Sequence, residues 1–276
     1  AMEVGSNKVK VNLILDTGSS VLAIHSHKYD PSKDSYAELT TLAQSISYNS
    51  GAWSGAIIKT NIQINASKAQ LDSAPIAVVD STQGDMFGEA DGILGLAYQS
   101  LDTAYLMPEQ TWPQSSTPEQ LTKGVKTTIP PFFTQLIKQN DIANKFAFVT
   151  QRSRISHALD DPKSDPLNWG YFIMGACEQC TDLYQGEFKS IKVVHDKFYN
   201  TNLLSIQAGS TKPISIPAIE WSQQTFSNSI VDSGTNSILL SPEVFQALVT
   251  NISSSNSAEK GSALSLGVAM MNELDI

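Results

Sequence analysis

Two short tripeptides, Asp16-Thr17-Gly18 and Asp232-Ser233-Gly234, constrain the fold of this 276-residue chain more than anything else in it. Each follows an apolar run, Val11-Asn-Leu-Ile-Leu15 in the first case and Ser229-Ile-Val231 in the second, and each is followed by a hydroxyl residue, Ser19 or Thr235. The runs read as buried strands that deliver an Asp into a tight loop, where Gly18 and Gly234 permit the turn. Ser19 and Thr235 stand three residues after their Asp, within reach to donate a hydrogen bond to an outer carboxylate oxygen and favour its ionised form. A single Asp-Thr-Gly is an ordinary turn, because Asp, Gly and hydroxyl residues dominate turns. Two copies with matching flanks imply two related halves and a pair of carboxylates on matching frames, which is what general acid/base chemistry needs.

Between the two copies the pattern is mostly β. Gly55–Ile64, Ala74–Val79, Lys145–Thr150, Gly170–Gly175 and Tyr199–Ile206 are alternating or apolar runs separated by turn-forming clusters. Tyr48-Asn-Ser-Gly-Ala-Trp53 sets turn formers between two such runs with an aromatic on each arm, a hairpin whose Tyr48 and Trp53 read as a cross-strand pair. Two short helices are expected, over Pro131–Gln139 and Ser241–Val249, the second with Ser241 as N-cap, Pro242 in the first turn and Glu243 near the positive end of the dipole. The polar, Pro- and Ser-rich stretches 109–126 and 151–168 read as surface loops.

Four segments in order, Leu13-Ile-Leu-Asp-Thr-Gly-Ser-Ser20, Ile46-Ser-Tyr-Asn-Ser-Gly-Ala-Trp-Ser-Gly55, Ala90-Asp-Gly-Ile-Leu-Gly-Leu-Ala-Tyr98 and Ile230-Val-Asp-Ser-Gly-Thr-Asn236, resemble the pepsin-like aspartic endopeptidases. Within that family the chain is most similar to the beta-secretase (memapsin) branch, through the second motif being Asp-Ser-Gly, Ala23 where pepsins usually carry Trp, and the Tyr48/Trp53 spacing. The resemblance implies an all-β, bilobal acid-protease fold with a few short helices. It places an N-terminal lobe with the first catalytic Asp and a flap over residues 1–182, and a partial C-terminal lobe with the second Asp over residues 183–276.

The resemblance also implies roles. Asp16 and Asp232 become the catalytic dyad, supported by Thr17, Gly18, Ser19, Ser233, Gly234 and Thr235. The hairpin becomes a flap: Tyr48 beside the scissile bond, Asn49, Ser50 and Gly51 offering backbone groups to a peptide, and Trp53 holding the Tyr48 hydroxyl through its indole N–H. Met86 and Phe87 are expected to line an apolar pocket, and Phe198, Tyr199 and Asn236 to contact substrate, with core packing the competing reading for Met86, Phe87, Phe198 and Tyr199. Two close carboxylates share a proton and titrate as a unit. The ionised member activates a water and the protonated member hydrogen-bonds the carbonyl oxygen under attack, a chemistry that requires no cofactor or metal.

Ile93-Leu94-Gly95 supplies the apolar-apolar-Gly segment that buttresses the first Asp loop in the family, whereas only 44 residues follow Asp232 (276 minus 232) and Ser265-Leu266-Gly267 is the nearest counterpart. The chain is therefore expected to be a piece of a longer reading frame with its C-terminal lobe incomplete. That feature also supports the alternative of an inactive fragment or a non-catalytic peptide-binding member of the fold.

A net charge of −9 and a pI near 4.9 exclude a nucleic-acid-binding surface and suit a soluble protein near neutral pH. No stretch approaches the roughly 20 apolar residues of a membrane-spanning helix, and no membrane anchor is visible. Asn65-Ala-Ser67 and Asn251-Ile-Ser253 match the glycosylation acceptor pattern and permit a secretory route, extracellular or endolysosomal. The two cysteines, Cys177 and Cys180, read as a local disulfide or two idle thiols, because a zinc site would need two further ligands and the His25/His27 pair is far away in sequence. The expected partner is a peptide or protein substrate, and the chain is expected to be a monomer.

Overall fold

The computed structural model describes residues 2–48, 51–64, 69–84, 86–113, 118–121, 123–152, 155–217 and 227–255. These form two compact units. The first comprises Ala1–Ser190, Asp196–Tyr199 and Val231–Asn236, and the second Ile191–His195, Asn200–Ile230 and Ser237–Ile276.

The first unit is built on a large, mostly antiparallel sheet. Its strands are β1 (Met2–Val4), β2 (Val9–Val11), β3 (Leu13–Asp16), β4 (Leu22–His25), β5 (Glu38–Tyr48), β6 (Gly51–Ile64), β7 (Ala69–Gln83), β8 (Gly92–Gly95), β9 (Thr103–Leu106) and β10 (Val125–Thr128). The main path runs β10-β9-β5-β6-β7-β4-β8-β3, and β1 pairs with both β2 and β6. β3 runs parallel to β8, with Asp16 opposite Gly95, while β4 runs antiparallel to β8 and parallel to β7.

Successive residues of the central strands enter two different cores. Ile58, Val78, Leu94 and Ile24 join a cluster with Val4, Ile62, Leu71 and Ile76, whereas their neighbours Ile57, Ala77, Ile93 and Ala23 join Val21, Trp53, Val79, Phe87 and Ala104. That is the period of two expected of a sheet covered on both faces, and it explains why these strands read as continuous apolar runs rather than as alternation. Helix α1 (Pro118–Leu121) is a single turn. Helix α2 (Phe132–Asn140) covers the first core with Phe132, Phe133, Leu136 and Ile137, and ends where Asp141 adopts a left-handed conformation at φ 51°. β11 (Phe146–Thr150) and β12 (Gly170–Met174) pair as a separate hairpin. The loop between them is organised by Asp161 and Asp165, whose carboxylates accept from the backbone N–H of Lys163 and Leu167 to start two short 3-10 turns. Cys177 and Cys180 form a disulfide.

In the second unit the run Tyr199–Ile206, expected as one strand, is broken. It yields β13 (Asn200–Thr201) and β14 (Ser205–Ile206), which pair with β16 (Ser229–Ile230) and β15 (Ile214–Ser215) respectively. The side-chain amide of Asn228 donates to the Leu203 carbonyl and accepts from the Leu203 N–H, taking the place of a strand partner between the two pieces. Helix α3 (Pro242–Ser255) outruns its expected end, and the Val244 N–H donates to Ser241 Oγ at 3.5 Å, a long N-cap contact.

Candidate active site

Asp16 ends β3, held by the parallel pairing of that strand to β8. The loop that follows folds back onto the end of β8: Leu96 N–H donates to the Asp16 carbonyl at 2.7 Å and Ala97 N–H to the Ser19 carbonyl at 2.8 Å. Gly95 lies so close to the backbone of Ser20 and Val21 that no β-carbon fits there, so the Gly of Ile93-Leu94-Gly95 is a matter of space.

Segment Val231–Asn236 packs with this first unit, and its contacts with the Asp16 loop are reciprocal. Thr17 N–H donates to Ser233 Oγ at 3.0 Å and Ser233 N–H donates to Thr17 Oγ1 at 2.9 Å. Each hydroxyl then donates across to the other strand, Thr17 to the Val231 carbonyl and Ser233 to the Leu15 carbonyl, both at 2.8 Å. The hydroxyl residue after each Asp is thus the fastening between the two loops, a role that adjacency in sequence does not show.

The carboxylates are held in matching frames. Gly18 N–H donates to Asp16 Oδ1 at 2.7 Å, and Gly234 N–H to Asp232 Oδ1 at 2.9 Å. Thr235 Oγ1 donates to Asp232 Oδ2 at 2.7 Å. Its counterpart Ser19 lies beside Asp16 and favours the charged form, but its Oγ is buried without a hydrogen-bond partner. Asp16 is 5% exposed. Burial pushes its carboxyl up to about 6, helped by the neighbouring Asp232 and opposed by Ser19 and the Gly18 N–H.

The β5–β6 hairpin brings Tyr48 and Trp53 to the same region. Tyr48 pairs with Gly51, and Trp53 with Ile46. Tyr48 Oη, Trp53 Nε1 and Ser19 Oγ are all buried without a hydrogen-bond partner, although both Trp53 and Ser19 act on the Tyr48 phenol, which burial pushes up to about 12. The direct Trp53-to-Tyr48 hydrogen bond expected from the resemblance is not formed. Three convergent unsatisfied polar atoms suit a bound water, which needs two to four such partners. Gly51 leaves no room for a β-carbon against the Gln83 carbonyl and Met86 Sδ, so Met86 abuts the hairpin directly. Asn49 and Ser50 lie outside the described residues.

Phe87 is buried in the core beneath the hairpin, with Met86 packed at its edge. Tyr199 donates to the Leu96 carbonyl at 2.9 Å and packs on Tyr98 and Phe146, contacts that commit its ring to the first unit's interior. Phe198 is half-buried and Asn236 exposed. Reasoning from sequence missed Gln44 and Asp102, a buried polar pair that joins the hairpin strand β5 to the residue before β9, because neither belongs to a motif.

The fold agrees with the comparisons. The family model for eukaryotic aspartyl proteases matches residues 1–270, and the chain belongs to that family. It is 26% identical to a beta-secretase of Strongylocentrotus purpuratus over 91% of this chain and 44% of that protein. It is 28% identical to a chymosin of Callithrix jacchus over 38% of this chain and 30% of that one. A vacuolar protease A of Aspergillus fumigatus is 29% identical over 39% of this chain and 30% of its own length. The chain spans less than half the length of these relatives.

Proposed function

We propose that the chain carries the catalytic dyad of an aspartic endopeptidase with an acidic optimum, acting on peptide or protein substrates. The observation that carries this reading is the reciprocal lock between the two Asp loops, through which Thr17 and Ser233 hold Asp16 and Asp232 in equivalent frames. Two carboxylates so placed do not both ionise easily, so the pair carries one proton over the range in which it works. The ionised member takes a proton from a water as that water attacks the peptide carbonyl, and the protonated member donates to the oxygen that becomes tetrahedral. Proton transfer then frees the amine, and no covalent intermediate forms.

Ser19, Tyr48 and Trp53 are suited to holding a second water that extends from Asp16 to the hairpin. Met86 against Gly51, with Phe87 in the core beneath the hairpin, supports an apolar preference next to the scissile bond. In this reading residues 1–182 form the first lobe and 183–276 part of the second. A secretory or vacuolar compartment is consistent with a relative named for the vacuole and with acid chemistry.

The test is cleavage of a quenched-fluorescent peptide library between pH 3 and 7 by the protein and by Asp16→Asn and Asp232→Asn, with and without a hydroxyl-bearing transition-state mimic. Acid-peaked cleavage abolished by either substitution and by the mimic supports the dyad. A folded protein that binds peptides with neither cleavage nor sensitivity to either substitution overturns it.

A further inference from the structure

Gln44 and Asp102 make a buried polar contact that the proposed chemistry does not use. Gln44 is 1% exposed and Asp102 2%. Gln44 Nε2 donates to Asp102 Oδ1 at 2.7 Å and to the Thr103 carbonyl at 3.1 Å, so both amide hydrogens are engaged. Alternation along β5 puts Gln44 on the inner face with Leu42, Ile46 and Tyr48, all three of which pack on the core beneath the hairpin. Backbone pairing of β5 with β9 joins Leu42 to Leu106 and Ala43 to Tyr105. At the next residue the Gln44 side chain takes over, reaching Asp102 and Thr103 at the start of β9. The amide therefore sits where β5 parts from β9 and continues as the hairpin arm that carries Tyr48.

The surroundings of Asp102 decide its charge. Burial pushes its carboxyl up to about 8, with the Gln44 amide the opposing influence. From β5 the titratable neighbour is Tyr48, which feels the charges of both Asp16 and Asp102. On β9 and β10, Tyr105 and Lys126 are cross-strand partners. Alternation sends them to the face opposite Ala104, which is buried in the inner core. The turn Gln99–Leu101 before Asp102 carries no titratable side chain. No cation among the described residues holds Asp102 in its charged form. An amide binds a carboxylate more tightly than an acid, but one neutral donor does not offset the desolvation of a full charge. Ionisation therefore draws water to Asp102, and the way in is to part it from Gln44.

We propose that Asp102 is a positioning residue: as the uncharged acid it fastens the root of the hairpin through Gln44 and so sets the place of Tyr48, and on losing its proton it releases that root. The task of Tyr48 rests on the endopeptidase reading, but the fastening does not. Hydrogen exchange read by mass spectrometry, corrected for intrinsic rates, tests the fastening without substrate.

Between pH 6 and 9 the peptides covering β5 and β6 should lose about 100-fold in protection while those of β11 and β12 keep theirs, the ratio expected when one carboxyl, raised in the closed state and ordinary in the open one, controls one local opening. Asp102→Asn keeps the acceptor without the charge, and its hairpin should hold protection to within about twofold. Equal loss in both proteins, or an equal loss in β11 and β12, overturns the proposal. Should Asp102→Asn not fold, carboxyl carbon shifts of the unaltered protein decide: titration of Asp102 well above the ordinary carboxylate range supports the proposal, and titration near 4 overturns it. An exchange response in a protein that cleaves nothing leaves the fastening standing and sinks only the task given to Tyr48.

Discussion

Gly18 lies against the carboxyl of Asp232 so closely that a β-carbon on it would fall 2.6 Å from the carboxyl carbon, and Gly234 stands in the same relation to Asp16, 2.5 Å from Oδ1. Each loop thus closes over the other loop's acid. The motif glycines follow from the proximity of two carboxylates, and a turn of the same shape elsewhere would not require them.

Alanine at either position is therefore expected to displace the partner carboxylate. Gly18→Ala and Gly234→Ala should each lower kcat/KM by at least about 100-fold, the cost of misplacing reacting groups by about 1 Å. Circular dichroism should remain that of the folded chain. Full activity in either variant would show that the two acids are not packed as described.

Thr17 Oγ1 both accepts from Ser233 N–H and donates to the Val231 carbonyl. Thr17→Val keeps the shape and leaves both part-buried groups unpaired, which should cost about 2 kcal/mol in stability, the low end of roughly 1 to 3 kcal/mol for each fully buried polar group. Thr17→Ser, which restores the hydroxyl, should recover most of it. Denaturant melts of the three proteins read the difference, and equal losses for Val and Ser would mean that packing of the methyl group matters more than the hydrogen bonds.

In the proposed endopeptidase mechanism, burial of Asp16 sets the neutral side of the activity profile. Its carboxyl is raised to about 6, and the chemistry needs one proton on the pair, so kcat/KM should fall about tenfold per pH unit above that value. Ser19 favours the charged form, so Ser19→Ala should move this limb to higher pH. A limb that stays in place or moves towards acid would remove Ser19 from the control of Asp16.

Two buried acids in the first unit respond to pH in opposite senses. Burial would raise Asp34, but donors from Ser6 N–H, Thr60 Oγ1, Tyr29 Oη and Tyr36 N–H outweigh it and hold the carboxyl at about 2, against 3.8 ordinarily. Its contribution, roughly 2 kcal/mol, is present above the unfolded value and lost as pH falls towards the folded one. Asp102 is raised from 3.8 to about 8, so its contribution is whole below 3.8 and lost progressively as pH climbs to about 8. Thermal stability should therefore peak at about pH 3 to 4 and decline both ways. Asp34→Asn should flatten the acid side and Asp102→Asn the neutral side. A maximum above pH 7 in the unaltered protein would contradict the assignment of Asp102, and no loss of stability below pH 4 would contradict that of Asp34.

Much of the site was legible in order along the chain. The Asp16 and Asp232 tripeptides, the Tyr48 and Trp53 hairpin and the Ile93-Leu94-Gly95 segment sit where their local chemistry suggested, because turn formers and apolar runs act over a few residues. The strand over Tyr199–Ile206 was misread because the amide of Asn228, more than twenty residues on, occupies the hydrogen bonds that Leu203 would have offered to a strand. Phe87 and Tyr199, read as pocket candidates, carry extensive packing that no window of sequence displays.

What the sequence determined by itself is the local frame of each acid: an apolar strand, a Gly-permitted loop and a backbone N–H returning to its own Asp two residues before it. What only the tertiary structure decided is charge. The burial that raises Asp16 and Asp102, the Ser6 and Thr60 donors that help depress Asp34, and the crossing of Thr17 and Ser233 join residues distant along the chain. The free energy of a buried charge depends on everything that surrounds it, and in a folded chain those surroundings come from other strands.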